Sequence, residues 1–313
     1  MATSIQSIKR WGQGLGERFL PWLCLGFMGM AWGLTFSLGK IAVESGIKPF
    51  GLTFYQVGLA GLILVVIVMV RRKPVLELKP HFGFICLIAM LGAAVPSSLF
   101  YFAAPHVQAG VLAITVALIP LLTYGFSIPL KIEGFSKIRF LGLAFGVLAM
   151  LFIAVPDNSL PNRAAVPWIL LACLSSVSYA AENILLGFRS AIAVGPIRMA
   201  MGMNLISAVV LLPVVYATDS FYTPQFPLGS GDYALVGLSV ITVIAYSLFV
   251  LTVARYGAVF ASQTGYTVTL CGVFWGIMIF GESHSLWVWC ALVAMIIGLA
   301  LVLPKTSSPR DGG

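Results

Sequence analysis

The sequence predicts an all-α integral membrane protein of ten transmembrane helices, arranged as two inverted five-helix repeats. Three observations carry this prediction. The first is composition: 60% of the 313 residues are apolar, 9% are charged, and mean hydropathy is +1.02. Soluble domains carry about 25% charged residues, so a water-facing surface cannot be made from this chain and lipid must be its main solvent. The second is that apolar runs of about 20 residues, the length needed to cross a bilayer core, recur from end to end. The third is internal repetition. Ala109 to Pro156 holds two apolar runs around a turn with Glu133, and Ala258 to Pro304 holds two around Glu282, 149 residues further on. The closing pairs Val155-Pro156 and Leu303-Pro304 lie 148 residues apart.

Taken in order, the expected spans fall at about 19–41, 50–70, 82–103, 107–130, 137–155, 165–188, 196–217, 232–254, 258–280 and 285–303. The basic N-terminus (Lys9, Arg10, Arg18) followed by an apolar run resembles a signal peptide. However, the run continues to near Lys40 without a small-x-small cleavage site, so it reads as a retained first span. Ahead of it, Ile5, Ile8, Trp11, Leu15 and Phe19 recur at spacings of three and four, which predicts a short surface helix over 4–18. The breaks between spans carry the charges and turn residues: Lys48-Pro49, Arg71 to Pro74, Lys131 to Gly134, Pro156 to Asn158, Gly195-Pro196, and the longest polar loop, Asp219 to Asp232. The expected organisation is a cytoplasmic segment over 1–18, repeats over 19–156 and 157–304, and a cytoplasmic tail over 305–313.

Charge sets the expected orientation. With the N-terminus inside, 15 of the 18 Lys and Arg fall on the cytoplasmic side and only Lys40, Lys48 and Arg163 fall outside, so both termini are expected in the cytoplasm. Five spans per repeat is an odd number, so the second repeat enters the membrane from the opposite side. Many secondary transporters share this layout, with the substrate site near the midplane between the repeats. The net charge of +8 sits in short loops, which points to membrane orientation and not to nucleic acid.

No hydrolase, zinc-protease, P-loop or dinucleotide motif occurs. Cys24, Cys86, Cys173, Cys271 and Cys290 all lie in apolar runs, and His81, His106 and His284 are far apart, so no metal site or cofactor is expected. Informative residues are polar and aromatic groups inside spans, each costly unless it faces protein or a water-filled cavity. Glu182 is the strongest. It lies 14 residues past Trp168, about 21 Å along a helix, and reads either as a proton-titrating or amine-binding carboxylate in a central cavity or as a partner of Arg189 at the interface. Asn183 follows it. Trp32, Thr35, Tyr101, Thr115, Tyr179 and Tyr246 are the other substrate-binding candidates in the first, third, fourth, sixth and eighth spans. The ninth span carries Ser262, Gln263, Thr264, Tyr266, Thr267 and Thr269; helix gluing accounts for some of these, and Gln263 and Tyr266 are the cavity candidates. Lys40, at the outer end of the first span, is expected to snorkel to the headgroups, with a substrate-gating role as the alternative. Gly29/Gly33, Gly142/Gly146 and Gly272/Gly276 permit close helix approach, within the chain or in a homodimer. Pro96, Pro120 and Pro213 free backbone groups and allow kinks.

Trp32-Gly33 and Lys40, the run Ala109 to Pro120 leading to Glu133, Gly142 and Gly146, and Gly281-Glu282 together resemble the EamA-like branch of the drug/metabolite transporter superfamily. The likeness covers about residues 19–304. It implies alternating-access transport of small metabolites, often amino acids or their relatives, commonly outward and proton-linked or facilitated, across the inner membrane of a bacterium. The expected partners are a small-molecule substrate and membrane lipid. The chain departs from the family at Thr269, where Pro is usual, and at Gln56, where a basic residue is often found. A cationic drug or polyamine exported by proton antiport is the alternative substrate class. A membrane enzyme lacks a second convergent acid, nucleophile or metal set; a non-transporting scaffold or receptor is the other alternative, which a counterflow assay separates from transport.

Overall fold

The computed structural model describes residues 2–71, 81–132, 134–156, 158–187, 194–224, 226–256, 261 and 264–302, with side chains from Leu20 onward except at 196, 253, 254 and 256. Among these residues the chain is helical and contains no strand. Its principal helices are α1 (Ala2–Glu44), α2 (Pro49–Val70), α3 (Phe82–Ala103), α4 (Ala109–Ser127), α5 (Lys137–Ala154), α6 (Val166–Leu186), α7 (Pro196–Ala217), α8 (Ser230–Tyr256), α9 (Thr264–Phe280) and α10 (Leu286–Val302). The first eight hold segments long and apolar enough to cross a membrane. Helices α9 and α10 are shorter apolar helices of 17 residues each, or about 26 Å of rise. Segment 4–18, expected as a separate surface helix, is continuous with the first span in a single 43-residue helix; Pro21 lies inside it without ending it. Glu133, Arg189 and the tail from 305 lie outside the described residues.

Lipid-facing positions are apolar on the outside of the bundle. Leu62, Val66, Met69, Leu170, Val209, Met278 and Val293 are all exposed, an arrangement that is favourable only against hydrocarbon. Inside, small residues let the backbones meet. A Cβ on Gly142 would collide with the Gly298 carbonyl and one on Gly298 with that of Gly142, so α5 and α10 cross backbone to backbone. Gly29 and Gly33 lie against Thr267 and Cys271 of α9, and Gly272 lies against Ala113 of α4.

The packing pairs have an order. Helix α1 packs on α8 and α9, while α6 packs on α3 and α4; α2 packs on α8 and α7 on α3; α2 with α7, α4 with α9 and α5 with α10 complete the bundle. Two irregularities position the site. Helix α3 widens into a π turn over Met90–Ala94 just before Pro96. Proline has no N–H for the ladder, and Ser178 of α6 donates its hydroxyl to the Leu91 carbonyl (3.0 Å), five residues before Pro96. Ser175 donates to Pro96 O (2.9 Å), and Ser207 of α7 to Ala89 O (3.0 Å). Helix α4 breaks at Ala117, three residues before Pro120, where the Ala117 N–H donates to Ile114 O (3.1 Å). Kinks were expected at both prolines; the π turn was not.

Candidate functional site

A cavity of about 240 Å³ lies where α1, α2, α3, α4, α6, α7, α8 and α9 converge. Its apolar walls include seven aromatic side chains: Trp32 and Phe36 from α1, Phe100 and Tyr101 from α3, Tyr179 from α6, and Tyr246 and Phe249 from α8. Trp32 meets Phe249 edge-on at 5.5 Å, and Phe36 lies 5.7 Å from Phe100. Val116, Ile119 and Pro120 of the broken α4 close one side, facing Gly265 of α9.

Two polar clusters interrupt this apolar lining. One is built around Glu182, which is 3% exposed and is the one ionisable Asp, Glu, Lys, Arg or His among the described lining residues. Tyr246 donates its hydroxyl to Glu182 Oε1 at 2.8 Å. The carboxyl lies over Gly92 at the centre of the π turn, where a Cβ would occupy its place. Tyr179, one helical turn before Glu182, has its hydroxyl 3.4 Å from Ser97 Oγ. π turns recur at functional sites because they re-aim a short stretch of helix, and this one makes the room that the carboxyl fills. The second cluster is neutral: Tyr101 donates to Gln56 Oε1, Gln56 Nε2 donates to Thr242 Oγ1 (2.8 Å), and Thr242 donates to Leu238 O (2.8 Å). Asn204 borders the cavity too; its Nδ2 donates to Ala200 O (2.8 Å), and its buried Oδ1 has no partner.

At one end of the bundle is a second carboxylate, Glu282, in the turn between α9 and α10. It accepts from Ala109 N (2.6 Å) and Gly110 N (3.0 Å), the first N–H groups of α4. His284 Nε2 lies 3.6 Å from Glu282 Oε2, and His284 Nδ1 lies 3.1 Å from Gln108 Oε1. This cluster caps a helix and does not border the cavity.

The EamA-like transporter family model matches the chain twice, over residues 20–155 and 166–303. The chain belongs to the EamA-like transporter family. It is 26% identical over 274 residues to YedA of Escherichia coli K12, an uncharacterised inner membrane transporter, covering 87% of this chain and 86% of that one. The YedA proteins of Escherichia coli O6:H1 and O157:H7 match to the same extent. A crystal structure 17% identical in sequence superposes with a TM-score of 0.63 over 88% of this chain and 94% of its own, which shows the fold alone.

Within this EamA-like fold, seven of the residues singled out from sequence line the cavity: Trp32, Thr35, Tyr101, Tyr179, Glu182, Asn183 and Tyr246. Two do not. Thr115 is fully buried, its hydroxyl donating to Leu112 O (2.7 Å) while its carbonyl accepts from Ser176 (3.0 Å); it ties α4 to α6. Tyr266 packs against the core around α4 and lies off the lining. Gln263 lies outside the described residues. Thr267 donates to Leu25 O (3.0 Å) and Thr269 to Ala113 O (3.3 Å), so these two threonines of α9 glue it to α1 and α4. Lys40 donates to Val107 O (3.3 Å) and sits over the Phe280 ring at 5.3 Å, anchoring α1 to the turn before α4. Gln56, Asn204 and Thr242 were not among the expected cavity residues. Each is a polar group within an apolar span, and the cost of burying it was the signal available.

Proposed function

We propose that this chain carries a small amphiphilic organic solute across the membrane by alternating access, as two inverted five-helix repeats, α1–α5 and α6–α10, around the central cavity. The observation that carries the reading is the exchange symmetry of the packing. Replacing each helix of α1–α5 by its partner five positions on turns α1–α8 and α1–α9 into α6–α3 and α6–α4, and returns α2–α7, α4–α9 and α5–α10 to themselves. An odd number of spans per repeat makes the two antiparallel, and such pairs rock about a shared site. The cavity draws its lining from both.

In this reading Trp32, Thr35, Tyr101, Tyr179, Asn183 and Tyr246 contact the solute, and Glu182 carries the coupling proton. Amino acids and small amines are the two solute classes of suitable size and polarity. The Lys and Arg distribution supports an inner membrane orientation with both termini cytoplasmic, and the family resemblance supports outward flux.

Counterflow in proteoliposomes tests this. Loaded vesicles are expected to accumulate labelled solute only when protein is present, at a rate that changes with pH. Glu182→Gln is expected to flatten that pH profile. An unchanged rate and profile in the variant would remove the role of Glu182, and failure of every amino acid and amine to drive counterflow would remove the carrier.

A further inference from the structure

Resting on that transport reading, we propose that the solute is a small organic monocation, a protonated amine on an apolar or aromatic body with no carboxylate, exchanged against a proton at Glu182. The cavity is rich in acceptors and poor in charged donors. Glu182 offers a carboxylate with only the Tyr246 hydroxyl donating to it among the hydrogen bonds described, and Asn204 offers a buried Oδ1 with no partner. The hydroxyl proton of Tyr101 is already given to Gln56, which leaves its oxygen as an acceptor, while Thr242 is spent between Gln56 and Leu238. The remaining amide donors, on Gln56 and Asn183, are neutral. Among the described lining residues no Lys, Arg or His is present to hold a carboxylate. An ammonium group brings three donors and a positive charge. A zwitterionic amino acid would add a second carboxylate with no fixed cation to receive it, so its desolvation would go uncompensated. The aromatic walls suit the body of such a cation and add cation–π attraction.

The same balance couples the proton. An ionised carboxylate in the bilayer core must be neutralised by a bound cation or by a proton. As the ammonium docks, the Glu182 carboxyl O–H bond breaks, the proton leaves to solvent, and the carboxylate pairs with the ammonium; on release, a proton returns. The titratable groups that share the cavity with Glu182 are Tyr179 on its own helix, Tyr246 on α8 and Tyr101 on α3; all three are phenols, whose ordinary pKa is about 10.

The test compares three ligands of one shape on purified full-length protein: 2-phenylethylamine, phenylalanine and 2-phenylethanol. The amine is expected to bind at least about tenfold tighter than the other two, releasing one proton per bound molecule into weakly buffered solution. Glu182→Gln should lose that preference and the proton release. Gln56→Lys, which adds a cation to the opposite cluster, should shift preference towards phenylalanine by at least about tenfold, and decides the matter if the first variant does not fold. Equal or tighter binding of phenylalanine by the wild type, an unaltered amine affinity in Glu182→Gln, or no binding of any of the three overturns the assignment. Phenylalanine counterflow without amine counterflow would overturn it and leave the carrier standing, whereas amine binding without any counterflow would remove the carrier and leave the ligand class.

Discussion

Glu182 and Glu282 are both buried carboxylates, and the fold treats them in opposite ways. Glu282 receives two backbone N–H groups from the start of α4, where the helix dipole favours negative charge. Its hydrogen-bonding capacity is spent on holding the α9–α10 turn against α4. Glu182 receives one phenolic hydroxyl and otherwise borders an open cavity. Burial is therefore not what makes a membrane carboxylate functional. A carboxylate saturated by backbone donors is a structural tie, and one left short of donors beside a void has capacity left for a ligand, the role proposed for Glu182.

The largest expected difference is in stability. In Glu282→Gln, one amide oxygen replaces two carboxylate oxygens and an NH2 group is set against a helix N–H. Losing charge-assisted bonds at a buried helix start is expected to cost about 3 kcal/mol, read as a fall in the thermal unfolding midpoint of the purified protein. Glu182→Gln keeps an oxygen for Tyr246 and is expected to remain within about 1 kcal/mol of wild type. Equal losses in the two variants would break the distinction. A smaller effect should follow from Gly92→Ala. The added methyl takes the space of the Glu182 carboxyl, and overpacking of this kind costs about 1–3 kcal/mol; the carboxyl must move, so the pH dependence of transport should weaken as in Glu182→Gln. A Gly92→Ala protein with the wild-type pH profile would show that the π turn does not position the carboxyl.

The fold was largely legible, since apolar run length and turn residues place helices with little competition from other structures. Glu182 was legible too, because an acid in mid-span is expensive. What escaped the sequence depends on the third dimension. Trp32 and Tyr246 reach the cavity, yet Thr115 and Tyr266, equally polar by residue type, turn to a neighbouring carbonyl or to packed core. Pro120 announces the break in α4, but no local run of residues announces the π turn in α3 that Glu182 fills, nor which face of α4 and α9 turns to the cavity. The roles of Lys40 and Glu282 escaped for a related reason. Their partners, Val107 O and the N–H groups of Ala109 and Gly110, are backbone atoms distant in sequence.

The smallest effect concerns His284, which sharpens the reading of Glu282. Burial lowers the pKa of His284 below the ordinary histidine value, and the nearby Glu282 carboxylate opposes this less strongly. The folded protein therefore binds fewer protons at this site than the unfolded chain, so its stability contribution is present above the unfolded pKa, near 6.5, and is lost as pH falls from there through the lower folded pKa. Wild-type protein is expected to unfold at a lower temperature at pH 5.5 than at pH 7.5. His284→Asn, which keeps an amide near the Gln108 side chain, should remove part of that slope. The sign is the decisive quantity. If acidification stabilised the wild type and the variant lost this gain, His284 would be protonating onto Glu282, and the cap on α4 would be an ion pair completed by low pH instead of a carboxylate already satisfied by the helix.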